Sequence, residues 1–429
     1  MQQGHDHITT VDAGKQHRRL TKATVNGRNY ALGPVPVVVI CADGCSPEYI
    51  DAVIVDGRAP ALARMRATLL NSGYDGLARA AMPTFTNPNN LSIVTGASPS
   101  VHGISGNYTL DRATRSEVMM LDDSGMISET IPGALSKAGA RVVVITAKDK
   151  LRKALSRGLD GVSGSAERAE ELQRVVGPAF PAAVPDKYSA DLSLFVLDAG
   201  VSLLRQRRAD LMYLSLSDFV QHAHAPDAPE ALEFMAALDQ RIAEFVDLGA
   251  VVGIVADHGM TDMARPDGTP NVVWLGDILD AQFGADTTRV ICPINDPFGR
   301  HHASLGGFVR VYLFDPTIDA EAARDLLARA AGVNLVLTGA EAAERFDMPA
   351  EAEGDLAVIG APGFALGACR ADHDLSQLAG TRLRSHGGLA EQQVPFLLSH
   401  PLTPEMAARL SSGARVWDIF DAAINGVIP

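Results

Sequence analysis

Carboxylate and imidazole side chains stand where short apolar runs of this sequence end. The residues are Asp43, Asp218, His222, Asp257, His258 and His386. The first five each follow an apolar run, and the last precedes one. Carboxylates and imidazoles are the ligands that zinc-like divalent ions take in proteins. Because a pair of such ions can clamp the attacking and leaving sides of a phosphoryl displacement, the six residues together predict a two-metal hydrolytic site.

Each of these residues also has an ordinary structural explanation. Asp43 could cap a turn or the next helix. Asp257 and His258 are compatible with a turn followed by a core histidine. Asp218 and His222 are four residues apart, so they share one face only if the segment after the strand is helical. The metal site is favoured because all of these residues recur at the ends of apolar runs.

A hydroxyl nucleophile is predicted in the stretch AMPTFTNPNNLSIVTG at 81–96. Thr86 precedes Pro88 and an apolar, helix-like stretch, where helix N-terminal amides and a metal ion would activate its hydroxyl. An N-cap role for Thr84 or Thr86 is the alternative. The local sequence does not separate the two threonines.

These side chains need a scaffold, and the sequence alternates short apolar runs with helical patterns. The runs lie at 37–42, 141–146, 211–217, 251–256 and 394–399. The segment 229–249 repeats apolar residues on one helical face behind Pro229, and 60–70 and 190–207 have the same pattern. This alternation predicts an α/β fold in which helices cover both faces of a mostly parallel sheet. The ligand site is then expected beyond the carboxyl ends of the strands.

The segment at 265–375 has a different pattern, with connectors rich in Pro, Gly and Asp, a strand at 307–314 and a helix at 318–332. We interpret 265–375 as a smaller α+β cap inserted into the main domain, since the parallel-sheet pattern is expected to resume after it. The metal-binding core would comprise 31–264 and 376–429. Residues 1–30 are expected to form a partly disordered leader.

Composition limits the partners of this protein. The chain has 429 residues and a formal net charge of -14, which argues against nucleic acid because phosphate backbones require surfaces rich in Lys and Arg. Its four cysteines lack zinc-type spacing and are expected to be reduced thiols. No apolar run of membrane-spanning length is present. A cytoplasmic protein without a membrane partner is therefore expected.

Six stretches, taken in order, resemble the alkaline phosphatase superfamily, and most closely its nucleotide pyrophosphatase/phosphodiesterase branch. They are Asp43, PTFTNPN (83–89), GASPSVHGISGN (96–107), Asp218 with His222, ADHGM (256–260) and SHGG (385–388). The resemblance extends over nearly the whole chain and implies an alkaline phosphatase-like fold with two metal ions. It also implies that Thr86 attacks phosphorus.

The same resemblance implies the ligand sets of the two ions. One ion would be held by Asp218, His222 and His386. The other would be held by Asp43, Asp257, His258 and the Thr86 oxygen. Two Zn²⁺ ions are the expected cofactors because mixed Asp and His ligands suit zinc best, with Mn²⁺ or Fe²⁺ as alternatives.

The stretch ITAKDKLRKAL at 145–155 narrows the implied substrate. In an extended chain, the ammonium groups of Lys148 and Lys150 would point the same way; a solvated lysine cluster is the alternative. Together with GISGNY at 103–108, this stretch is similar to the phosphonoacetate hydrolase family, in which two lysines and an asparagine bind the substrate. The matching residues here are Lys148, Lys150 and Asn107.

By this resemblance, the protein is expected to hydrolyse the carbon–phosphorus bond of phosphonoacetate to acetate and phosphate through a phosphothreonine intermediate. A small-molecule phosphonate is the expected partner. Two lysines at its carboxylate would stabilise the charge that develops as the carbon departs. Catalytic roles are implied for Thr86, Lys148 and Lys150. Substrate contacts are implied for Thr86, Asn107, Lys148, Lys150, His222 and His386.

Two other functions remain open from the sequence. One is a phosphodiesterase or nucleotide pyrophosphatase on the same metal core, and the other is a non-catalytic protein that binds metal or anions. Family analogy suggests a homodimer. His301 and His302 in the predicted cap either meet the substrate or pair within a loop, and the loop interpretation is favoured.

Overall fold

The computed structural model describes residues 20–120, 122–177, 180, 183–295, 302–378 and 380–428. Residues 1–19 of the predicted leader lie outside this range. The strands in chain order are Thr21–Val25 (β1), Arg28–Leu32 (β2), Val37–Cys41 (β3), Leu77–Arg79 (β4), Tyr108–Asp111 (β5), Ser116–Met119 (β6), Val142–Thr146 (β7), Val162–Ser165 (β8), Leu211–Ser215 (β9), Val251–Val255 (β10), Thr261–Asp262 (β11), Val272–Trp274 (β12), Thr288–Ile291 (β13), Phe308–Leu313 (β14), Val333–Thr338 (β15), Leu356–Gly360 (β16), Ala365–Gly367 (β17), Arg384–Ser385 (β18) and Gln393–Leu398 (β19).

The α-helices alternate with these strands. They are Pro47–Val55 (α1), Pro60–Asn71 (α2), Thr86–Thr95 (α3), Pro99–His102 (α4), Ile131–Lys137 (α5), Asp149–Leu155 (α6), Ala169–Val176 (α7), Asp191–Arg205 (α8), Phe219–Ala223 (α9), Pro229–Asp247 (α10), Leu275–Phe283 (α11), Ala320–Ala328 (α12), Gly339–Phe346 (α13), Pro404–Ser411 (α14) and Ile419–Asn425 (α15). Helix α10 illustrates why they form: Pro229 opens it, and Phe234, Leu238, Ile242 and Phe245 bury one face at helical spacing.

The central sheet has the strand order β4-β19-β10-β3-β9-β7-β8. Strands β10, β3, β9, β7 and β8 run parallel to one another. Every residue of β3, β7, β9 and β10 is buried, which explains the uninterrupted apolar runs, since a parallel sheet is covered on both faces. The predicted α/β architecture with a mostly parallel sheet is confirmed.

Register brings the strand ends together. Cys41 at the end of β3 pairs with Val255 on one side and with Ser215 on the other. The residues that come after these three strands therefore leave the sheet at the same level. This is the physical basis for expecting the candidate ligands at one edge of the sheet.

The expectation that the parallel pattern resumes after the insertion is wrong for β19. This strand pairs antiparallel with β10 and with β4. The reason is the path of the chain: β18 pairs with β11, directly after the carboxyl end of β10. The chain thus re-enters the sheet from its carboxyl edge, so β19 must run in the opposite direction.

A second sheet, with the order β13-β14-β16-β15, is antiparallel throughout. It has its own apolar cluster, which includes Val311, Leu327, Phe346 and Val358. These strands fall within 265–375, the segment that the sequence assigns to an inserted cap. Its boundaries stay a prediction.

Two further features bear on the sequence-based expectations. Within the described residues, no helix combines the length and the apolar character needed to cross a membrane. All four cysteines are free, and Cys41, Cys45 and Cys292 are buried.

Candidate active site

Three buried aspartates define the centre of the site. Asp43 follows β3, Asp218 follows β9 and Asp257 follows β10, and each is less than 5% exposed. The carboxylate of Asp257 accepts hydrogen bonds from the backbone N–H of Gly44 at 3.2 Å and of His258 at 3.1 Å. Carboxylates buried this closely require a cation or many donors to balance their charge.

Three histidines face the aspartates, and their tautomers follow from their contacts. Their Nδ1 atoms lie against backbone carbonyls: His222 against Arg384 at 2.8 Å, His258 against Gly259 at 2.9 Å and His386 against Thr84 at 2.7 Å. A carbonyl only accepts, so each Nδ1 carries the hydrogen and donates it. In each ring Nε2 is then the nitrogen that is turned toward the site and can bind a cation. Metal-ligating histidines commonly have this arrangement.

The Nε2 atoms lie close to other electron-pair donors. His222 Nε2 is 3.2 Å from Asp218 Oδ2, and His258 Nε2 is 3.3 Å from Asp43 Oδ1 and 3.2 Å from Thr86 Oγ1. With bonds of about 2.0 Å to a tetrahedral ion, two ligands lie about 3.3 Å apart. Asp43 Oδ1 is also buried without a hydrogen-bond donor among the described residues. This donor set therefore fits divalent metal ions.

Two groups of side chains have ligand atoms within 4.8 Å of one another. They are Asp43 with Asp257 and His258, and Asp218 with His258 and His386. The first group matches one predicted ligand set. In the second, His258 stands where the prediction has His222, because the rings of His258 and His386 stack at 3.5 Å. The His222 ring centroid is 5.6 Å from that of His386, and its assignment to the Asp218 ion stays a prediction.

The pKa shifts describe a site with excess negative charge. Burial, followed by the other carboxylates, raises the pKa of Asp43 well above its usual value. Burial would also raise the pKa of Asp218, but the Lys148 ammonium and the His222 ring outweigh it and hold that pKa well below its usual value. Burial lowers the pKa of His386. The lowered pKa favours the neutral His386 ring, which is the form of histidine that binds a metal ion.

The structure separates the two threonines. The Thr84 hydroxyl donates to Gly388 O at 2.9 Å and accepts from Gly387 N–H at 3.0 Å. Thr86 is the first residue of α3, and its Oγ1 lies 3.2 Å from His258 Nε2. The hydroxyl of Thr86 thus faces the site at a helix N-terminus, whereas that of Thr84 joins its own segment to the one that follows His386.

Gly387 is required where that segment passes α3. Its φ is +122°, and a Cβ atom there would lie 2.4 Å from the ring of Phe85. Only glycine allows this backbone conformation together with this close approach. The glycine of the SHGG motif therefore lets His386 enter the site directly beside the start of α3.

Two of the predicted substrate-binding residues, Lys148 and Asn107, lie beside this centre. The Lys148 ammonium is 2.7 Å from Asp218 and 3.8 Å from Asp43, and the Lys150 ammonium nitrogen is buried. Asn107 accepts a hydrogen bond from the backbone N–H of Asn87, next to Thr86, at 3.2 Å. The extended-chain argument for the lysines is wrong, because α6 starts at Asp149.

Sequence reasoning missed Asn90, which is buried on α3. Its amide donates to Asp257 Oδ2 at 2.9 Å, and its oxygen accepts from Tyr213 at 2.8 Å and Ser215 at 2.9 Å. Asn90 thus orients the carboxylate of Asp257, a predicted metal ligand, and Tyr213 and Ser215 hold Asn90 in place. The only sequence signal was the second asparagine of PNN, which helical spacing from Thr86 places on the same face.

We predict that Asn90→Leu lowers metal affinity about 10–100-fold, the usual effect of losing an orienting partner behind a ligand. Competition with a chelator would measure it. The matched control is Asn89→Leu, since Asn89 is equally buried but bonds to backbone groups of Ala81, Pro83 and Phe85. The control should lower stability and leave the metal affinity of the folded protein within a few fold. Equal metal loss in both variants would contradict the assignment.

The other histidines near the motifs divide into two kinds. His302 is buried, and its ring centroid lies 5.5 Å from that of His222 and 6.5 Å from that of His386; His301 lies outside the described residues. His102 bonds to Ser92 Oγ at 2.9 Å and accepts from a backbone N–H. His102 is therefore structural, whereas His302 borders the site.

Comparison with known proteins identifies the family of this chain. The family described as Type I phosphodiesterase / nucleotide pyrophosphatase matches residues 37–373. Phosphonoacetate hydrolase from Sinorhizobium meliloti 1021, solved in complexes with phosphonoformate and with phosphonoacetate, has 42% identity and a TM-score of 0.87, covering 95% of this chain and 99% of that one. Murine ectonucleotide pyrophosphatase/phosphodiesterase 5 in complex with AMP, at 14% identity and a TM-score of 0.59, covers 92% of this chain and 96% of that one, and shows the fold alone.

A curated sequence adds a short match. A phosphonoacetate hydrolase from Penicillium oxalicum is 71% identical over 31 residues, which are 7% of this chain and 43% of that relative. The chain thus spans less than half the length of that relative. The family match and the two complexes carry the conclusion instead. This chain belongs to the Type I phosphodiesterase / nucleotide pyrophosphatase family, within the alkaline phosphatase superfamily.

Proposed function

We propose that this protein hydrolyses phosphonoacetate to acetate and phosphate. The observation that carries the proposal is the position of the Lys148 ammonium, 2.7 Å from Asp218 in the cluster that contains Thr86. A phosphodiester hydrolase expels an oxygen leaving group and does not need ammonium groups there. A hydrolase that expels carbon needs them to stabilise the developing negative charge. The 42% identity to a phosphonoacetate hydrolase crystallised with phosphonoacetate supports the same substrate.

The proposal includes two metal ions, for which Zn²⁺ is the best match to the donor set. Asp43, Asp257, His258 and Thr86 would hold one, and Asp218, His222 and His386 the other. Bound ions of this kind polarise phosphoryl oxygens and stabilise the charge on attacking and leaving groups. A cation held by Asp218 would replace the Lys148 ammonium as its partner and would leave that ammonium free to bind the substrate.

In the first step, Thr86 Oγ1 gives its proton to solvent water and attacks phosphorus. The oxygen–phosphorus bond forms as the phosphorus–carbon bond breaks, and the electron pair leaves with the carbon of the acetate unit. Because this carbon is bonded to a carboxylate, the charge spreads onto the carboxylate oxygens as an enolate-like dianion. The ammonium groups of Lys148 and Lys150 stabilise those oxygens where charge develops. Asn107 holds the phosphonate end with its amide N–H.

In the second step, water hydrolyses the phosphothreonine. The water oxygen bonds to phosphorus, the bond to Thr86 Oγ1 breaks, and phosphate is released. The carbanion has meanwhile taken a proton from solvent to give acetate. Overall, one phosphonoacetate and one water give one acetate and one phosphate, and Thr86 returns to its starting state.

Phosphorus NMR of the zinc-loaded protein tests this function. Phosphonoacetate, phosphonopyruvate and an aryl phosphodiester are supplied side by side, and we expect phosphate release from phosphonoacetate to be the fastest. Faster turnover of the diester would favour the nucleotide pyrophosphatase alternative. No phosphate from any of them, and no phosphorylated Thr86, would favour a non-catalytic binding protein.

A homodimer, a cytoplasmic location and the inserted cap at 265–375 belong to the same proposal. Support for the dimer is family analogy, and support for the location is the composition. Support for the cap is the separate antiparallel sheet and its own apolar cluster.

A further inference from the structure

A buried ion pair joins strand β14 of the second sheet to Glu353, in the segment before β16. Arg310, on the interior strand β14, is 1% exposed, and Glu353 is 2% exposed. Arg310 Nε donates to Glu353 Oε2 at 2.9 Å, and Nη2 donates to Oε1. A buried pair of this kind is weak evidence for stability, because removing both charges from water offsets their attraction. Its other contacts indicate a different role.

Arg310 also reaches out of its own sheet. Its Nη2 donates to the backbone oxygen and to the hydroxyl of Ser105, both at 3.0 Å. Ser105 lies two residues before Asn107, in the GISGN loop of the core. A guanidinium can serve a carboxylate and a carbonyl at once because its donors are fixed in one plane. The hydrogen bonds of Arg310 therefore hold this loop at a fixed distance from β14.

The opposite side of the loop is fixed as well. A Cβ atom on Gly106 would lie 2.8 Å from Pro293 and 3.4 Å from Arg310 Nη1. The backbone N–H of Asn107 donates to Pro293 O at 2.9 Å. Gly106 is thus clamped between the arginine and the chain after β13, and a bulkier residue would not fit there.

The clamp determines how the Asn107 amide is oriented. Its oxygen accepts from Asn87 N–H at 3.2 Å, and its nitrogen donates one hydrogen to Ile294 O at 3.3 Å. An amide nitrogen has a second hydrogen. Because α3 holds the oxygen and the chain after β13 holds the first hydrogen, a shift of the loop would redirect the second hydrogen relative to Thr86.

We propose that Arg310, neutralised by Glu353, is a positioning residue that sets the Asn107 amide for the phosphonate. It acts through Ser105 and Gly106 and does not touch the ligand itself. The segment assigned to the cap would then complete the active site indirectly. The inference rests on the proposed function for the role of Asn107, but the position of the loop can be measured independently of that function.

The test removes the pair without leaving an unpaired buried charge. Arg310→Met combined with Glu353→Leu replaces both side chains by apolar ones of similar length, which buried pairs commonly tolerate. Ser105→Ala removes one acceptor only, and Ser105→Thr keeps the hydroxyl. The affinity of the zinc-loaded protein for phosphonoformate, measured by calorimetry, should fall about ten-fold in the double variant. It should fall less in Ser105→Ala, and Ser105→Thr should be closer to the native protein.

Two comparisons decide whether Arg310 acts through Asn107. In an Asn107→Ala background, the double variant should weaken phosphonoformate binding by less than about two-fold, because coupled residues are not additive. The matched control is Arg289→Met. It removes a different arginine–glutamate pair of the same region, the one between Arg289 and Glu117. It should leave the affinity within about two-fold. Full additive loss in the Asn107→Ala background, or equal loss in the control, would overturn the proposal.

Hydrogen exchange keeps this inference separate from the proposed function. The amides of residues 103–109 should exchange about ten-fold faster in the double variant than in the native protein. Their exchange rates in Arg289→Met should equal those of the native protein. Unchanged exchange in the double variant would overturn the positioning role even if phosphonoacetate is hydrolysed. Conversely, faster exchange in a protein that does not hydrolyse phosphonoacetate would support the clamp while the proposed function fails.

Discussion

Replacing Thr86 with alanine is expected to lower kcat for phosphonoacetate by about 10⁴-fold or more, the loss typical of removing a nucleophile. Thr86 is the first residue of α3, and its hydroxyl faces His258. The variant should keep most of its bound metal, since the aspartates and histidines remain. Stopped-flow kinetics with metal analysis measures both quantities. Acid-quenched native protein should yield a peptide phosphorylated at Thr86, and the variant should not.

Thr84→Val is the matched control for this prediction. Its hydroxyl joins two backbone groups near His386, so the change removes a buried hydrogen-bonding group. We expect a loss of about 1–3 kcal/mol in the free energy of unfolding, together with a phosphorylated Thr86 in the folded fraction. If Thr84→Val abolished the phosphopeptide and Thr86→Ala did not, the assignment of the nucleophile would be wrong.

The sequence predicts that the three aspartates meet at one edge of the sheet, because one simple rule governs their position. Parallel buried strands are continuous apolar runs, and the residues directly after each strand must lie at the carboxyl edge of the sheet. Asp43, Asp218 and Asp257 obey this rule, and the register of β3 with β9 and β10 brings them together. The expectation that Asp218 and His222 share one face also holds, because the segment after Asp218 is a short helix.

The rest depended on contacts between residues far apart in the chain. The antiparallel direction of β19 follows from where β18 docks, which no local pattern in 394–399 contains. The local pattern around Arg310 is that of an exposed charge on an alternating strand, yet Glu353 and Ser105 bury it. Such pairings are specified by the fold as a whole, so single-sequence periodicity does not reveal them.

The placement of the lysines shows a prediction whose reasoning failed. Lys148 does reach the carboxylate cluster. However, α6 begins at the next residue, and residues two apart on a helix do not face the same way. Lys148 precedes the helix and Lys150 lies within it. The contact of Lys148 with the cluster therefore does not imply the same contact for Lys150.

Lys148→Met is expected to lower kcat for phosphonoacetate about 10²–10³-fold, the usual cost of losing one donor aimed at developing charge. Turnover of an aryl phosphodiester should change by only a few fold, because its leaving group is an oxygen that needs no such help. Steady-state kinetics on both substrates gives the ratio directly. Lys148→Arg keeps the charge and should recover part of the loss for phosphonoacetate.

The control for this substitution is Lys153→Met, since Lys153 is exposed on the same helix. It should leave both substrates within about two-fold. Lys148 is also paired with Asp218, so a general weakening of the metal site is the competing explanation. That explanation requires both substrates to slow equally and the metal content to fall. A selective loss for phosphonoacetate at full metal content is consistent only with an ammonium that serves the departing carbon.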